Sequence, residues 1–179
     1  MNTQDRSVMQ SQSSQFISQI FHNNGAFPNN ENLPLVILKS PLKDIQITPE
    51  SFEEIFREHG WPAAWRNGLY DFHHYHSKAH EVLGVYSGWT RACFGGPQGK
   101  ILEAEKGDVI IIPAGVSHCN KGQSPDFKVV GGYFASQPWD MMYGKQGERP
   151  QADRNISQVC LPNTDPVFGS DGPLLKLWA

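Results

Sequence analysis

Two short stretches of the chain place glycine, histidine and glutamate at fixed spacings, and they constrain the protein most. The first, residues 68–88, reads GLYDFHHYHSKAHEVLGVYSG, and the second, residues 107–118, reads GDVIIIPAGVSH. Four side chains in these stretches are typical metal ligands: His74, His76, Glu81 and His118. Three imidazoles and one carboxylate suit a single transition-metal ion, so the stretches predict a mononuclear metal site.

Strand geometry brings these candidate ligands together. Side chains alternate between the two faces of an extended strand, so His74 and His76 point the same way, as two ligands of one ion must. Glu81 follows a short turn and opens the apolar run VLGVY, so a hairpin would fold it back onto the pair. The neighbouring His80 stands in a turn where alternation need not hold, and it is an alternative to Glu81. Alternation directs His73 away from the ion.

The fixed positions of the two stretches resemble the two signature motifs of the cupin superfamily, and the resemblance covers roughly residues 66–135. The matching positions are Gly68, His74, His76, Glu81 and Gly88 in the first motif, and Gly107, Pro113, Gly115 and His118 in the second. Gly122 stands where the family pattern has asparagine, which concerns the turn after the site and not the ligands. The family spacing up to Gly88 favours Glu81 over His80.

The resemblance implies an all-β fold, a double-stranded β-helix or jelly-roll barrel. To this barrel the sequence adds one outer α-helix and irregular N- and C-terminal arms. The resemblance also implies a homodimer, a small-molecule ligand, and one divalent transition metal held by the four ligands named above. Imidazole and carboxylate together suit iron, manganese, nickel, zinc or copper, so the residue types do not identify the metal.

Composition divides the chain into a tail, a barrel domain and an arm. Residues 1–15 are rich in glutamine and serine with almost nothing to bury, so they are predicted to be a disordered tail. The cupin barrel is predicted over residues 16–143. Glycine and proline interrupt nearly every run over residues 144–179, which are therefore predicted to be an irregular arm packed on the barrel.

Helix and strand signals fill in the barrel domain. Residues 48–60 predict a helix, because Thr48 suits its cap, Pro49 its first turn and Gly60 the position after its end. The continuous apolar run at residues 108–112 predicts a strand with both faces covered. The other predicted strands cover residues 16–21, 33–38, 82–86, 89–94, 100–104 and 127–134.

Strand register also suggests which residues face a substrate. Residues two positions away from a ligand on a strand share its face, which selects Phe72, Leu83 and Asn120. Arg91, on the strand after the first motif, is the best single candidate to pair with an anionic substrate, but a surface or structural role is the commoner one for such an arginine. Trp61 and Trp65, which precede the first motif, could line the mouth of the barrel, but packing in the core or between helix and barrel is the commoner fate of such residues. No catalytic residue beyond the metal ligands is identifiable.

Composition and charge exclude several classes of partner. The formal net charge is -3 and the sequence pI is about 6.1, so the chain has no basic footprint for nucleic acid. The longest apolar runs, such as residues 109–112, are far too short to span a bilayer, so a membrane is not an expected partner. Three scattered cysteines argue against a disulfide framework. These features predict a cytoplasmic protein.

The function is not readable from the fold alone, because cupins serve as oxygenases, isomerases, decarboxylases, binding modules and storage proteins. The complete ligand set favours an enzyme: a small, metal-dependent, dioxygenase- or isomerase-type protein whose organic substrate chelates the metal. The alternative is a non-catalytic, metal-dependent module that binds or senses a small molecule. Metal identity discriminates between the two, because iron or manganese supports oxygen chemistry while zinc held by four ligands weakens it.

Overall fold

The computed structural model describes residues 15–179 of the chain, so the predicted tail lies outside the described residues except for Gln15. The strands are β1 (Phe16–Phe21), β2 (Asn30–Leu38), β3 (Ala63–Asn67), β4 (Glu81–Ser87), β5 (Trp89–Phe94), β6 (Lys100–Glu105), β7 (Val109–Ile112), β8 (His118–Gln123) and β9 (Lys128–Tyr133). The helices are α1 (Pro49–Glu58), α2 (Gln151–Gln158) and α3 (Pro173–Leu177). Within this described part of the chain, no helix is long and apolar enough to cross a membrane.

The strands form two antiparallel sheets that pack against each other. The larger sheet has the strand order β1-β2-β7-β4-β9-β3, and the smaller has the order β6-β5-β8. Apolar side chains from both sheets fill the space between them, among them Leu83 and Ile110 of the larger sheet and Phe94 of the smaller. This arrangement confirms the predicted all-β jelly-roll fold.

Both faces of the larger sheet are buried. In β7, Ile110 and Ile112 face the space between the sheets, while Val109 and Ile111 face outward into a second apolar cluster. Helix α1 and the C-terminal part of the chain cover this second cluster, with Leu174 of α3 fully buried in it. Burial on both faces explains why β7 is a continuous apolar run, as predicted.

Helix α1 lies within its predicted boundaries. The Thr48 side chain accepts a hydrogen bond from the Ser51 backbone at 3.1 Å, and Ser51 Oγ accepts one from the Thr48 backbone. Gly60 follows the helix with a φ of 77°, which glycine adopts without a steric penalty. The helix lies close to β4 because Gly84 has no side chain: a Cβ there would be 2.6 Å from Cγ of Phe52.

The arm and two strands differ from what the sequence indicates. Residues 144–179 are not wholly irregular, because they contain α2 and α3 beside the single predicted outer helix. Strands β3 and β8 are not apparent in the sequence, since AAWRN and HCNKGQ lack an alternating apolar pattern. They form through pairing with β9 and β5 instead.

Candidate metal centre

The four predicted ligands come together at one end of the barrel. Glu81 opens β4, His118 opens β8, and His74 and His76 lie on the extended segment before β4. One nitrogen from each of the three histidines lies within 4.8 Å of the other two. All four side chains are buried, with exposed fractions of 4% or less. The segment keeps strand alternation, because Tyr75 packs on the other side in a small cluster with Phe27.

Each histidine is held in one tautomer by the main chain. The Nδ1 atoms of His74, His76 and His118 each donate to a backbone carbonyl oxygen. The carbonyl acceptors are Phe72 for His74, Asp140 for His76 and Val116 for His118. Since a carbonyl oxygen only accepts, Nδ1 must carry the proton and Nε2 keeps a free lone pair. Second partners of this kind orient metal-binding histidines and fix their tautomer.

Glu81 completes the set of acceptors. Its buried Oε2 has no hydrogen-bond partner among the described residues. It lies 3.2 Å from Nε2 of His118 and 3.4 Å from Nε2 of His76. With both rings in the Nδ1–H tautomer, lone pairs of oxygen and nitrogen face one another with no proton between them. Such a buried group of acceptors needs a cation or a proton for stability, so the residues fit a metal ion.

The charges of the site favour a cation at the same place. Burial on its own lowers the pKa of His76, but the Glu81 carboxylate outweighs burial and holds that pKa above its usual value. Burial on its own raises the pKa of Glu81, but His76 and His118 outweigh it and hold that pKa below its usual value. The pKa of His74 is lowered to about 3, chiefly by burial. The His76–Glu81 pair therefore favours a positive charge between its side chains, which a metal ion supplies.

A cavity of about 320 Å³ leads from the ligands to the surface. Its volume lies at the small end of the range for small-molecule sites. Its lining consists of Ala64, Trp65, Asn67, Gly68, Leu69, Tyr70, His74, His76, Glu81, His118, Tyr133, Trp139 and Met141. All four candidate ligands belong to that lining, so a molecule in the cavity reaches the candidate metal centre directly.

Comparison with known proteins identifies the family. A family model described as Cupin matches residues 66–138, and the uncharacterized protein YjlB of Bacillus subtilis is 39% identical over 158 residues, 88% of this chain and 93% of that protein. This chain belongs to the cupin superfamily. Solved structures similar to this cupin include a DUF861 family protein of Thermotoga maritima, 23% identical, covering 50% of this chain and 96% of that chain, with a TM-score of 0.33. Another is a dTDP-6-deoxy-D-glucose-3,5-epimerase of Legionella pneumophila. It is 12% identical, the match covers 67% of this chain and 72% of that chain, and the TM-score is 0.33.

The cavity of this cupin contains three large aromatic residues, and of these the sequence offers only Trp65 as a residue of the barrel mouth, beside the packing role. Trp65 lines the cavity and donates from Nε1 to the Tyr133 hydroxyl at 3.2 Å. Tyr133 is the register partner of Glu81 across β4 and β9, and its ring stacks on Trp139 at 5.6 Å between centroids. Alternation along the predicted strand 127–134 shows which residues share a face with Tyr133. It does not show that this face is the cavity side until the pairing of the strand with β4 is known. Trp139 follows the last strand, where no periodic signal exists.

The residues predicted to face a substrate lie in different places. Phe72 is at the rim of the site, with its ring 5.5 Å from that of His74. Leu83 is fully buried between the sheets, Arg91 forms an exposed ion pair with Glu103, and Asn120 accepts from the Gly122 backbone. None of these four residues belongs to the cavity lining, although Phe72 lies beside it. Alternation assigned the face of Leu83 and Asn120 but not their depth, and Arg91 faces outward because its neighbour Ala92 faces the core.

The two spare histidines lie outside the metal centre. Nδ1 of His80 accepts from the Ala114 backbone at 3.0 Å, and the ring packs on Trp178 at 4.7 Å between centroids. His80 therefore serves the contact between the barrel and the C-terminal arm, while Glu81 faces the histidine cluster. His73 lies within 3.3 Å of the Ser117 hydroxyl and packs near Phe27.

The segment of residues 137–143 supports the metal centre of the cupin from its other side. Its Asp140 accepts from His76 through the carbonyl and from Ser77 through the carboxylate, with the Ser77 backbone bond at 2.6 Å. Asn155 of α2 donates to Ser77 Oγ at 2.9 Å. The C-terminal arm therefore reaches the candidate metal centre through a continuous chain of hydrogen bonds, a role that the sequence does not indicate.

Proposed function

We propose that this cupin is a small metal-dependent enzyme of the dioxygenase or isomerase type, with one divalent transition metal bound by His74, His76, Glu81 and His118. The observation that carries the proposal is the convergence of three Nε2 lone pairs and one carboxylate oxygen at the base of a cavity, with no donor between them. Its substrate is a small organic molecule that occupies the cavity and chelates the metal.

Each part of the site has a role in this proposal. A bound divalent transition metal supplies Lewis-acid polarisation of a chelated oxygen and, if it is iron, access to oxygen chemistry. The carbonyl partners of the three Nδ1 atoms hold the imidazoles in place before the ion binds. The lining of the cavity is mostly apolar, so electrostatic interactions inside it are stronger than in bulk water.

Tyr133 is the chain's own group best placed to act on a substrate. Burial raises the pKa of its phenol, and the nearby Glu81 charge raises it further, so the hydroxyl stays protonated. That hydroxyl already accepts a hydrogen bond from Trp65 at 3.2 Å, which leaves its proton free to be donated. Tyr133 is therefore a donor to a substrate oxygen and not a general base.

A second candidate is a non-catalytic, metal-dependent module that binds or senses a small molecule. Apart from the candidate ligands, the only titratable side chains in the cavity lining described here are Tyr70 and Tyr133. Isomerisation ordinarily needs a group that removes a proton as well as one that donates it. The scarcity of such groups favours this candidate over the isomerase version of the enzyme.

The test is the metal content of protein purified without added metal, followed by oxygen consumption with chelating organic acids. We expect iron or manganese in the wild type, none in His76→Ala, and wild-type content in His22→Ala, whose ring is exposed away from the site. Oxygen uptake that requires both metal and substrate supports the enzyme. Tight ligand binding without turnover supports the binding module. Metal that remains in His76→Ala contradicts both candidates.

The homodimer implied by the family and the cytoplasmic location predicted from composition are part of the proposal. Sedimentation velocity on the purified protein tests the first, since a dimer of this 20.0 kDa chain sediments well apart from the monomer. Fractionation of cells that express the chain tests the second.

A further inference from the structure

We infer that the cavity of this cupin selects a flat, aromatic or conjugated molecule that carries a chelating head and a single negative charge. The inference rests on the proposed function, because the chelating head is placed at the candidate metal centre. It adds the chemical class of the substrate, which neither the fold nor the ligand set provides.

Aromatic side chains line the cavity in two groups. The first wall consists of Trp65 on β3, Tyr133 on β9 and Trp139, all three joined by the Trp65–Tyr133 hydrogen bond and the Tyr133–Trp139 stack. The second wall is Tyr70, whose carbonyl accepts from Asn120 on β8 of the smaller sheet. Tyr70 lies outside both sheets but lines the same cavity as the first wall, so a ring in the cavity can contact aromatic surface of both walls.

The first wall is built into the backbone. Trp65 lies directly over Gly131 of β9, where a Cβ would be 2.2 Å from the indole. Only glycine leaves room for this packing, so the position of the indole is fixed by its register partner. The rings of Tyr133 and Trp139 are nearly parallel, with an interplanar angle of 16°, and they stack on each other. A further planar ring can continue such a stack.

The rim of the cavity exposes more aromatic surface than the fold requires. Four large apolar side chains that are 41–49% exposed surround it: Tyr70, Phe72, Trp139 and Tyr143. Phe72 stacks on Tyr70 at 4.8 Å and lies 5.9 Å from Tyr143, so three of them form one patch. Exposed apolar patches beside a cavity mark ligand sites. A ligand ring covering Tyr70 and Trp139 would bury this surface.

Charge limits the head group. The cavity lining described here contains no lysine or arginine, and its only acidic residue is Glu81. A divalent ion beside one carboxylate leaves a single net positive charge. A monoanionic chelator neutralises that charge, whereas a dianion leaves a net negative charge buried among aromatic rings, which is costly. The cavity volume of about 320 Å³ is at the small end for ligand pockets and suits a small molecule.

The experiment compares two acids that differ only in the ring. Mandelate and hexahydromandelate share an α-hydroxycarboxylate head and one negative charge, but the first carries a phenyl and the second a cyclohexyl group. Isothermal titration calorimetry of both acids uses metal-loaded protein whose metal content is measured on the same sample. We expect mandelate to bind about tenfold more tightly, as contact with two aromatic faces implies.

Two variants and one control locate the preference. Trp139→Leu and Tyr70→Leu each replace a half-exposed aromatic residue of the rim, so both are expected to fold. Each should reduce the ratio of the two dissociation constants toward one. Trp89→Leu is the matched control, because Trp89 is 46% exposed on β5 and does not line the cavity. It should leave the ratio at the wild-type value.

The possible results separate this inference from the proposed function. Wild-type protein that takes up no metal overturns the proposed function. Metal-loaded protein that binds both acids equally, prefers the cyclohexyl acid, or binds neither overturns the substrate class and leaves the metal centre standing. A preference for mandelate that persists in both rim variants also overturns the inference, since the aromatic walls would then not cause it.

Discussion

The backbone carbonyl of Asp140 accepts a hydrogen bond from Nδ1 of His76, while the carboxylate of the same residue binds the backbone and hydroxyl of Ser77. One residue of the 137–143 segment therefore fixes both the orientation of a candidate metal ligand and the chain beside it. Because the carbonyl cannot donate, the contact also keeps the Nε2 lone pair of His76 directed at the site.

The first prediction concerns this contact. Asp140→Ala keeps the carbonyl but removes the carboxylate that anchors it, so we expect metal affinity to fall about 10–100-fold, as for other groups that orient metal ligands. Competition with a chromophoric chelator measures the affinity. Asp44→Ala, in an exposed turn, is the control and should bind like the wild type. Unchanged affinity in Asp140→Ala would show that His76 is oriented without this anchor.

The second prediction separates the site from the scaffold. His76→Ala should lose the metal and any activity yet remain folded, because the apolar clusters on both faces of the larger sheet do not include the ligands. Each fully buried aliphatic side chain contributes about 1.5–3 kcal/mol. Circular dichroism melting should give one cooperative transition for His76→Ala and one for chelator-treated wild type, at similar temperatures. A metal-loaded wild type should melt higher by mass action. Loss of structure in both metal-free samples would mean that the ion is structural.

The third prediction is that acid releases the metal. Protons compete with the ion for Nε2 of His76, and the neighbouring Glu81 holds the pKa of that ring above its usual value. Affinity should therefore begin to fall already near neutral pH and fall steeply in titrations from about pH 8 to about pH 5. Glu81→Gln removes the charge that raises this pKa. It should weaken binding at every pH and move the pH dependence to lower pH. A flat profile in the wild type would exclude histidine ligands.

The fourth prediction concerns His80 and the stability of metal-free protein. Burial lowers the pKa of His80 to about 4. The unfolded ring has a pKa of about 6.5, so in between the unfolded chain binds more protons than the folded one. The free energy of unfolding should therefore decrease as the pH is lowered across this window, by up to about 3 kcal/mol for this group.

Urea unfolding of metal-free protein at about pH 7 and at about pH 4.5 measures the loss, because these two pH values enclose most of the window. His80→Gln should lose less stability between the two pH values than the wild type, even if it is less stable at both. His22→Gln, an exposed histidine, should behave like the wild type. Equal losses in all three proteins would show that His80 does not carry the effect.

The ligands follow from the sequence because their geometry is local. Alternation at His74 and His76, a short turn before Glu81 and the spacing of the second motif each concern a few neighbouring residues. The same rule fails for Leu83, which shares the face of Glu81 but lies deeper, between the sheets. Alternation determines a face and not a distance along the barrel axis.

The walls of the cavity do not follow from the sequence because they depend on pairing between distant strands. Trp65 faces the cavity through its register with Gly131, and Tyr133 reaches the site as the register partner of Glu81. Register in a sheet is set by the whole hydrophobic pattern of two strands. Single-strand patterns cannot supply it, and the position of Trp139 depends further on the Asp140 contacts.

The last prediction tests how closely the helix packs on the barrel. A Cβ at Gly84 would lie 2.6 Å from Cγ of the Phe52 ring, which is fully buried between α1 and β4. The backbone of Gly84 is not in the left-handed region, so the conflict is steric alone. Gly84→Ala must move the ring or the helix, and we expect a loss of about 1–3 kcal/mol in the free energy of unfolding.

Gly122→Ala is the matched control, because nothing lies within 4 Å of a Cβ there. That variant should be as stable as the wild type or about 0.4–1 kcal/mol more stable, because alanine restricts the unfolded chain. Equal stabilities of the two variants in urea unfolding would mean that α1 adjusts freely on the sheet, contrary to the close packing of Phe52.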